Sequence, residues 1–473
     1  MTLTLVLVSI FIAIILGVLG GNRWRLPLLL GVSVLAVFAF QPTLAVRGLD
    51  FWLPAATLSF AVLTWILTTP YELRSWRTNR SALIILVLIV LILGLSRYVG
   101  FSLPLTASRP PQITQIIFLL IVVSGMGALI GRFTKPGNGV LIAVIICLIL
   151  LFAFLKTPAL AVWVSKWLRS INHQASNMAL AQDLRWLGFS YIAFRLLHTI
   201  RDRQSGRLPA VSLSEYVIYI IFFPTLTAGP IDRIEHFVFE LRRPLALAPN
   251  DLGEAGKRLV MGLFKKFAIA DALSIIALNA TNALQVHTAG WSWVLLYAYA
   301  LQIYFDFSGY TDIAIGLGQL LGIHLPENFK APYLKPNLTQ FWNNWHMTLT
   351  QWFRAYFFNP VTRALRSRWK KLPVPVIIFI TQVATMVLIG LWHGVTWNFL
   401  LWGLWHGLGL FIHNRWSELT KEHFARLDLH WQKILNGAGV LLTFNYVALG
   451  WVFFALPEPS VSLHFLRTLI GLA

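Results

Sequence analysis

The chain has 473 residues, of which 57% are hydrophobic and only 12% are charged, so it lacks the polar surface of a soluble globular protein and is predicted to be an integral membrane protein. Its one cysteine, Cys147, excludes a disulfide framework within the chain and a cysteine-based zinc site. The formal charge of +20 is too spread for a nucleic-acid groove, and it fits anionic lipid headgroups or an acidic soluble partner.

The first third of the chain consists of apolar stretches close to the roughly 20 residues that cross a bilayer. The first stretch has no basic segment at its start and no small-residue cleavage site before Gly20 and Gly21. We therefore expect it to stay as a helix rather than to be a cleaved signal peptide. The predicted spans are residues 1–19, 27–46, 52–69, 82–99, 113–131 and 139–156.

Positive charge alternates between the loops that join these spans. One set of loops carries clusters of arginine and lysine, whereas the other holds little beyond Arg47 and Arg109. Because cytoplasmic loops carry an excess of basic residues, the N-terminus is predicted to lie outside the cytoplasm. The predicted cytoplasmic loops carry Arg23 and Arg25, then Arg74, Arg77 and Arg80, then Arg132 and Lys135.

From residue 157 the apolar runs become shorter, and the sequence leaves the number of helices open. The segment KTPALAVWVSKWLRSINHQ is amphipathic and is predicted to lie in the membrane interface. The segment EYVIYIIFFPTLTAGPIDR contains Pro224, Gly229 and Pro230 within or just after a run of spanning length. Irregular backbone at that depth is tolerated only where it is buried in protein or lines a cavity, so this segment is a first indication of an internal cavity.

Residues 290–322 form a long apolar segment with two acidic residues, Asp306 and Asp312. Carboxylates inside a membrane often bind a coupling ion or a proton in transporters, which is one interpretation. In the other, Asp306, Ser308, Tyr310 and Asp312 form a hydrogen-bonded plug that fixes neighbouring helices, because buried polar groups need partners. The residues alone leave both interpretations open.

Residues 341–354, FWNNWHMTLTQWFR, are predicted to form one tryptophan-rich helix that lies in the interface or re-enters the membrane. On a 3.6-residue period His346 falls on the apolar stripe, which is the wrong face for a polar residue. The predicted stripe comprises Trp342, Trp345, His346, Leu349, Trp352, Phe353 and Tyr356, and the polar face comprises Asn343, Asn344, Thr348, Gln351 and Arg354.

A second intramembrane histidine, His393, ends a long apolar run. A titratable group at membrane depth is costly and by default marks a functional site. On the next run Gly403 and Gly407 have the spacing of a close helix contact, and His406 is predicted to hold neighbouring elements together. The predicted spans of this region are residues 374–393, 397–414 and 436–456.

Seven blocks follow one another in the second half of the chain: GFSYIAFRLLHTIRD, FFPTLTAGPI, GLFKKFAIAD, LQIYFDFSGYTDIAIGLGQLLG, NFKAPYL, FWNNWHMTLTQWFR and GLWHGVTWNFLLWGLWHG. They resemble, in the same order, the blocks of membrane-bound O-acyltransferases, and the likeness is to the bacterial branch that contains the D-alanyl teichoic acid and alginate O-acetylation proteins. The resemblance covers residues 185–456, and the N-terminal helices match only in character.

The resemblance implies an all-α polytopic membrane protein of the cell membrane. Roughly 11–13 tilted transmembrane helices would form a ring around a central tunnel, together with re-entrant or interfacial helices. The whole chain, 1–473, would be one membrane-embedded domain, with N-terminal helices in 1–156 and the catalytic core in 185–456.

The resemblance implies that His393 corresponds to the essential histidine of the family and that His346 corresponds to its second histidine. An imidazole suits the general base that removes the proton of an attacking hydroxyl. His346 would either orient the acceptor or donate a hydrogen bond to the thioester carbonyl. The further residues expected along the substrate tunnel are Trp342, Asn343, Asn344, Trp345, Arg354, Asp306, Ser308, Tyr310, Trp392 and Asn398, and no metal is expected.

The implied activity is O-acyl transfer of a short acyl group from a cytoplasmic thioester, acyl carrier protein or acyl-CoA, to a hydroxyl of an extracytoplasmic polysaccharide, another cell-envelope polymer or a relay protein. No permanently bound cofactor is expected. The implied partners are membrane lipid, the acidic carrier and an extracytoplasmic acyltransferase of the SGNH type. The basic clusters at Lys257–Lys266 and Arg363–Lys371 would dock the carrier or the phosphates of coenzyme A, or would attract anionic lipid.

The chain departs from the family pattern at several positions. Ala355 stands where relatives commonly have an aspartate beside the arginine, Asn343 and Asn344 stand where arginines are common, and His198 replaces a tyrosine or another neutral residue. These differences leave the donor and the acceptor open. The alternative function is a polytopic transporter or lipid flippase that uses Asp306 and Asp312.

Overall fold

The computed structural model describes residues 2–19, 21, 23–99, 105–132, 137–245 and 248–472. Gly20 and Lys135, on which two of the sequence predictions depend, lie outside these residues. Within the described ranges the chain forms α-helices that are joined by short 3-10 and π-helical turns, and it contains no β-strand. The predicted all-α class is therefore confirmed.

The six apolar stretches of the N-terminal region all form helices, as predicted. The second helix ends at Ala39, earlier than predicted. The reason is Pro42, which lacks a backbone N–H and disfavours helical geometry in the residue before it. These helices are α1 (Leu3–Leu19), α2 (Arg25–Ala39), α3 (Leu49–Thr68), α4 (Trp76–Leu95), α5 (Ile113–Gly131) and α6 (Asn138–Lys156).

Helices α5 and α6 bury few of their side chains. Only 11% of the apolar window of each helix is buried, and large side chains such as Phe118 and Leu150 are exposed. Apolar surface of this extent is compatible with hydrocarbon rather than with water. These helices therefore present their side chains to lipid, in agreement with a membrane protein.

The middle of the chain contains shorter helices, as the shorter apolar runs predict. In the first of them Trp163 and Trp167 are exposed, whereas Ser165 and Arg169 are buried. This amphipathic helix has the character of the interfacial helix that the sequence predicts. The helices are α7 (Pro158–Ile171), α8 (Phe189–Gln204), α9 (Leu213–Ile221), α10 (Ile234–Arg242) and α11 (Pro249–Leu263).

The backbone after α9 is irregular, as Pro224 predicts, and a 3-10 turn occupies Phe223–Thr225. The buried guanidinium of Arg195 donates hydrogen bonds to the carbonyl oxygens of Ile220 at 2.8 Å and of Thr225 at 3.0 Å. These carbonyl oxygens, at the end of α9 and in the irregular segment after it, therefore have hydrogen-bond partners within the protein. This segment is buried rather than part of the wall of either cavity described below.

The second half contains the longest helices of the chain. The prediction of one helix through His346 is wrong, because Trp345 and His346 leave helical geometry and separate two short helices. The elements are a π-helical turn (Phe264–Ala270), α12 (Asp271–Ser274), α13 (Asn282–Gln285), α14 (Ala289–Leu320), α15 (Leu338–Asn344), α16 (Met347–Phe353), a second π-helical turn (Arg354–Phe358), α17 (Asn359–Arg368), α18 (Val374–His393), α19 (Trp397–Arg426), α20 (Leu429–Ala455) and α21 (Pro459–Leu469).

Six helices of the described chain are long and apolar enough to cross a membrane, namely α3, α4, α5, α6, α18 and α20. Helices α14 and α19 are longer, with 32 and 30 residues, but they carry more polar residues. The predicted ring of roughly 11–13 spanning helices and its tunnel stay predictions.

Contacts among the helices separate two compact units. The first comprises Met1–Leu259 and Ile313–Leu325, and the second comprises Val260–Asp312 and Pro326–Ala473. Both cavities described below are lined by residues of the second unit. The predicted single membrane-embedded domain stays a prediction.

Two glycines bring α18 and α19 together within the second unit. A Cβ atom on Gly403 would lie 2.6 Å from the Cα atom of Val387, and one on Gly407 would lie 2.9 Å from the Cα atom of Val383. Only a residue without a side chain permits backbones to approach so closely. The predicted close contact between these helices is therefore confirmed.

Candidate active site

His346 occupies the turn between α15 and α16. Its φ of 43° lies in the left-handed region, which residues with a Cβ atom rarely adopt. Asn328 supports this turn twice: its main-chain carbonyl accepts a hydrogen bond from the Met347 N–H at 2.9 Å, and its Oδ1 lies 3.0 Å from His346 Nδ1. Strained backbone that surrounding hydrogen bonds maintain is typical of functional sites.

The imidazole of His346 is held by aromatic rings as well as by Asn328. It is 3% exposed. Its centroid lies 4.7 Å from that of Phe307, with the two rings nearly perpendicular, and 6.2 Å from that of Trp392. The ring therefore has little freedom to rotate.

His393 is the last residue of α18, and the extended backbone of Gly394 follows it. The centroid of its ring lies 4.5 Å from that of Trp392, 4.7 Å from that of Phe454 and 5.8 Å from that of Phe399. Trp392 therefore contacts the rings of both histidines.

His346 and His393 line the same cavity, which has a volume of about 60 Å³ and is called the histidine cavity below. The rest of the wall is mostly apolar, so electrostatic interactions inside the cavity are stronger than in water. The volume accommodates a small group rather than a long chain. The other lining residues are Ile303, Phe307, Trp342, Trp345, Leu349, Thr350, Ile389, Trp402, Trp451 and Phe454.

Three residues of this wall carry a buried polar atom that has no hydrogen-bond partner within the described part of the chain. These atoms are His346 Nε2, Trp342 Nε1 and Trp402 Nε1. Buried polar groups are nearly always paired, so unpaired atoms on a cavity wall indicate where polar groups of a ligand bind. An indole N–H donates, and an imidazole nitrogen without a proton accepts.

A second cavity, called the polar cavity, has a volume of about 210 Å³. It shares Trp342, Thr350 and Ile389 with the histidine cavity. The exposed guanidinium of Arg354 lies on its wall and donates a hydrogen bond to Asn343 Oδ1 at 2.7 Å. The other lining residues are Thr339, Phe358, Ile378, Gln382, Thr385, Met386, Leu410 and Asn414.

The structure brings six of the predicted site residues to the walls of these cavities. Trp342 lines both of them, Trp345 and the two histidines line the histidine cavity, and Asn343 and Arg354 line the polar cavity. Trp392 contacts both histidine rings. The predicted residues outside both walls are Trp392, Asn344, Asp306, Ser308, Tyr310 and Asn398.

Asn398 and Asn344 make hydrogen bonds that serve the fold. Asn398 is buried, and its amide donates to the carbonyl oxygen of Leu456 at 2.6 Å and to Ser462 Oγ at 3.0 Å. It therefore ties the start of α19 to the segment between α20 and α21. The Asn344 amide donates to the carbonyl oxygen of Gln340 at 2.8 Å, within its own helix.

The two aspartates of α14 form ion pairs with lysines of the first π-helical turn. Lys265 Nζ lies 2.6 Å from Asp312 Oδ2, and Lys266 Nζ is paired with Asp306 Oδ1. Gly309 permits this approach, because a Cβ atom there would lie 2.8 Å from the backbone nitrogen of Lys266. The pairing favours a structural role of the two aspartates over an ion-coupling site, and it engages two lysines of the predicted Lys257–Lys266 docking surface. Ser308 does not join the predicted plug by a hydrogen bond of its side chain, because its buried Oγ has no hydrogen-bond partner among the described residues.

We expect Lys265 and Asp312 to be energetically coupled. Lys265→Met and Asp312→Leu should each destabilise the protein by roughly 3 kcal/mol, because each removes one member of a largely buried ion pair. The double variant should lose less than the sum of the two. Thermal unfolding in detergent of the four proteins measures the coupling. The control is the same double-mutant cycle on an exposed ion pair, in which Lys257 Nζ lies 3.8 Å from Glu254 Oε1, and it should show little coupling. Additive effects of the two substitutions at the buried pair would contradict the expectation.

Sequence reasoning missed Asn328, Gln382 and Asn414. Asn328 belongs to the NFKAPYL block, and the two amides lie inside apolar helices, where any polar side chain is a signal.

His406 is fully buried, and the centroid of its ring lies 4.9 Å from that of Trp402 and 5.1 Å from that of Trp342. These contacts fit the linking role predicted for His406. Within the described ranges, no three His, Cys, Asp or Glu side chains are grouped to bind a metal ion.

Comparison with known proteins gives one family. Residues 141–455 match the model of MBOAT, the membrane-bound O-acyltransferase family. The matched segment contains both cavities and both histidines.

Individual relatives share about a third of the aligned residues. A probable alginate O-acetylase AlgI of Pseudomonas putida is 34% identical over 57% of this chain and 52% of its own length. A teichoic acid D-alanyltransferase of Streptococcus thermophilus is 31% identical over 58% of this chain and 68% of its own length. A peptidoglycan O-acetyltransferase of Helicobacter pylori is 31% identical over 67% of this chain and 61% of its own length. The chain spans about half the length of the alginate O-acetylases that it matches.

Proposed function

Because this chain belongs to the membrane-bound O-acyltransferase family, we propose that it transfers a short acyl group from a thioester to a hydroxyl group in the histidine cavity. The observation that carries the proposal is that His346 and His393, which are distant in the sequence, line one small and mostly apolar cavity. A pair of imidazoles in such surroundings suits proton transfer between bound substrates.

In the proposed reaction the hydroxyl oxygen attacks the carbonyl carbon of the thioester. A carbon–oxygen bond forms and the carbon–sulfur bond breaks, so the products are an ester and a free thiol. His393 accepts the proton of the hydroxyl as general base and returns a proton to the leaving sulfur. The indole N–H groups of Trp342 and Trp402 are donors suited to the carbonyl oxygen as negative charge develops on it.

The size of the histidine cavity supports a short acyl group. A volume of about 60 Å³ accepts the reacting end of an acetyl or alanyl thioester, and the names of the relatives refer to these two groups. The proposed donor is an acyl carrier protein or acyl-CoA that reaches the membrane from the cytoplasm. The proposed acceptor is a hydroxyl of a cell-envelope polymer or of an extracytoplasmic relay protein of the SGNH type, and the proposed location is the cell membrane.

The polar cavity and the basic segment beside it are proposed to bind the polar part of a substrate. Arg354 lines the polar cavity, and the chain then continues through the second π-helical turn into α17. The basic side chains on and after α17 are exposed and available to the acidic carrier or to the phosphates of coenzyme A. They are Arg363, Arg366, Arg368, Lys370 and Lys371.

The test is a transfer assay with the purified protein in liposomes. The donors are acetyl-CoA, acetyl carrier protein and D-alanyl carrier protein, and the acceptors are alginate, teichoic acid, peptidoglycan and an extracytoplasmic relay protein of the SGNH type. We expect at least one combination to release thiol and to label the acceptor about 100-fold faster than liposomes without protein. Thiol release and labelling at the background rate in all combinations would contradict the proposal.

A further inference from the structure

The hydrogen bonds of Asn328 determine which nitrogen of His346 carries the proton. Asn328 Oδ1 lies 3.0 Å from His346 Nδ1, 3.2 Å from the Thr348 backbone nitrogen and 2.9 Å from Thr348 Oγ1. A backbone N–H can only donate, so the Asn328 atom that faces it is the carboxamide oxygen. That oxygen can only accept, so His346 Nδ1 must be the donor.

A neutral imidazole has one proton, and in His346 Asn328 keeps that proton on Nδ1. Nε2 then carries an unshared electron pair and can only accept a hydrogen bond. The Nε2 atom is buried and has no hydrogen-bond partner among the described residues. His346 lines the histidine cavity and Asn328 does not, so Nε2 is the polar atom of this ring that remains for a ligand in the cavity.

We propose that Asn328 is a positioning residue that fixes His346 as a hydrogen-bond acceptor toward the bound substrates. The inference rests on the proposed function, and it excludes one of the two roles that the family resemblance implies for His346. The only proton of a neutral His346 is donated from Nδ1 to Asn328, so the ring has no N–H left to donate to the thioester carbonyl.

The hydrogen bond that His346 Nε2 accepts must come from a second O–H or N–H group of the two substrates. The attacking hydroxyl has one proton, which His393 takes. His346 therefore binds another O–H or N–H, either a second hydroxyl of the acceptor or an amide of the donor. A substrate that lacks such a group loses this contact and leaves Nε2 buried without a partner, which is unfavourable.

The tautomer can be measured without any substrate. In the protein labelled with nitrogen-15 on histidine, the His346 signals are identified by their loss in His346→Ala. We expect wild type to show a protonated Nδ1 and an unprotonated Nε2. Asn328→Asp should keep this tautomer, because a carboxylate also accepts the Nδ1 proton, and Asn328→Leu should lose it. A wild-type ring protonated on Nε2, or an unchanged tautomer in Asn328→Leu, would overturn the proposal whether or not the protein transfers acyl groups.

Kinetics separate a positioning role from a general loss of folding. With the pair of thioester and acceptor that reacts fastest in the assay above, Asn328→Leu should reduce kcat/KM about 100-fold and Asn328→Asp should restore most of it. Asn328→Leu combined with His346→Ala should be no slower than His346→Ala alone, since the asparagine acts through the histidine. Additive losses in the double variant would overturn the proposal.

The KM values identify the source of the second donor group. A raised KM for the acceptor in Asn328→Leu assigns the group to the acceptor, and a raised KM for the thioester assigns it to the thioester; an unchanged KM for both would contradict the contact. The matched control is Asn445→Leu. Asn445 Oδ1 accepts a hydrogen bond from the Tyr297 hydroxyl at 2.7 Å, outside both cavities, and its loss should leave the tautomer and both KM values unchanged.

Discussion

Replacing His393 with alanine is expected to lower the rate of acyl transfer by about 100- to 10,000-fold, the range of a lost general base. Without the imidazole, the hydroxyl proton has no acceptor as the carbon–oxygen bond forms. The chain should still fold and insert, because His393 ends α18 and its loss leaves the apolar helix before it unchanged. The measurement is thiol release and acceptor labelling by the wild type and the variant in the same liposomes.

Two controls distinguish lost chemistry from lost structure. His430→Ala removes an exposed imidazole near the start of α20, and it should transfer at the wild-type rate. The unfolding temperature of His393→Ala should lie close to that of the wild type, although the ring leaves a gap between Trp392 and Phe454. Full activity in His393→Ala would remove this residue from the mechanism, and the proposed reaction would then need another base.

The sequence predicts the helices well where their apolar runs are long. The span predicted at 374–393 coincides with α18, and the six N-terminal stretches all form helices. Burial of apolar side chains in lipid is a local property of a sequence, so hydropathy alone can locate such elements. Both histidines were also predictable, because a titratable side chain in an apolar run is conspicuous.

The turn at His346 was not predictable from periodicity. The stripe through residues 341–356 continues across the turn, and the helix is interrupted by hydrogen bonds from Asn328, which is distant in the sequence. A left-handed backbone at a residue with a side chain depends on such tertiary contacts. A local pattern cannot contain that information.

The partners of the charged residues were also beyond the sequence. In the sequence, Lys265 and Lys266 belong to a basic cluster, and Asp306 and Asp312 are acidic residues in an apolar segment. Only the folded chain shows that Lys265 pairs with Asp312 and Lys266 with Asp306. Compensation of this kind reduces the unfavourable energy of a charge in a membrane. The transporter alternative, which needs these carboxylates for an ion, accordingly loses its main support.

The second large effect is expected from Gly403→Ala. The added Cβ atom would lie 2.6 Å from the Cα atom of Val387 and 2.7 Å from the carbonyl oxygen of Met386. Both are backbone atoms of α18, so relief requires the two helices to separate, at about 1–3 kcal/mol for an overpacked contact. Trp402, the neighbouring residue on α19, lines the histidine cavity. A displacement of about 1 Å there should reduce transfer by about 100-fold.

Gly437→Ala is the matched control, because it makes the same substitution in a helix where, apart from the chain neighbours and the helix's own backbone, no described atom lies within 4 Å of the new Cβ atom. Alanine favours a helix over glycine by about 1 kcal/mol, so Gly437→Ala should unfold at the same temperature as the wild type or above it and should transfer at the same rate. Gly403→Ala gains the same propensity, and any loss that it shows is therefore due to the contact with α18. If both variants unfold and transfer alike, the close contact of α18 and α19 does not position the site, and other contacts of the lining helices must hold the histidine cavity.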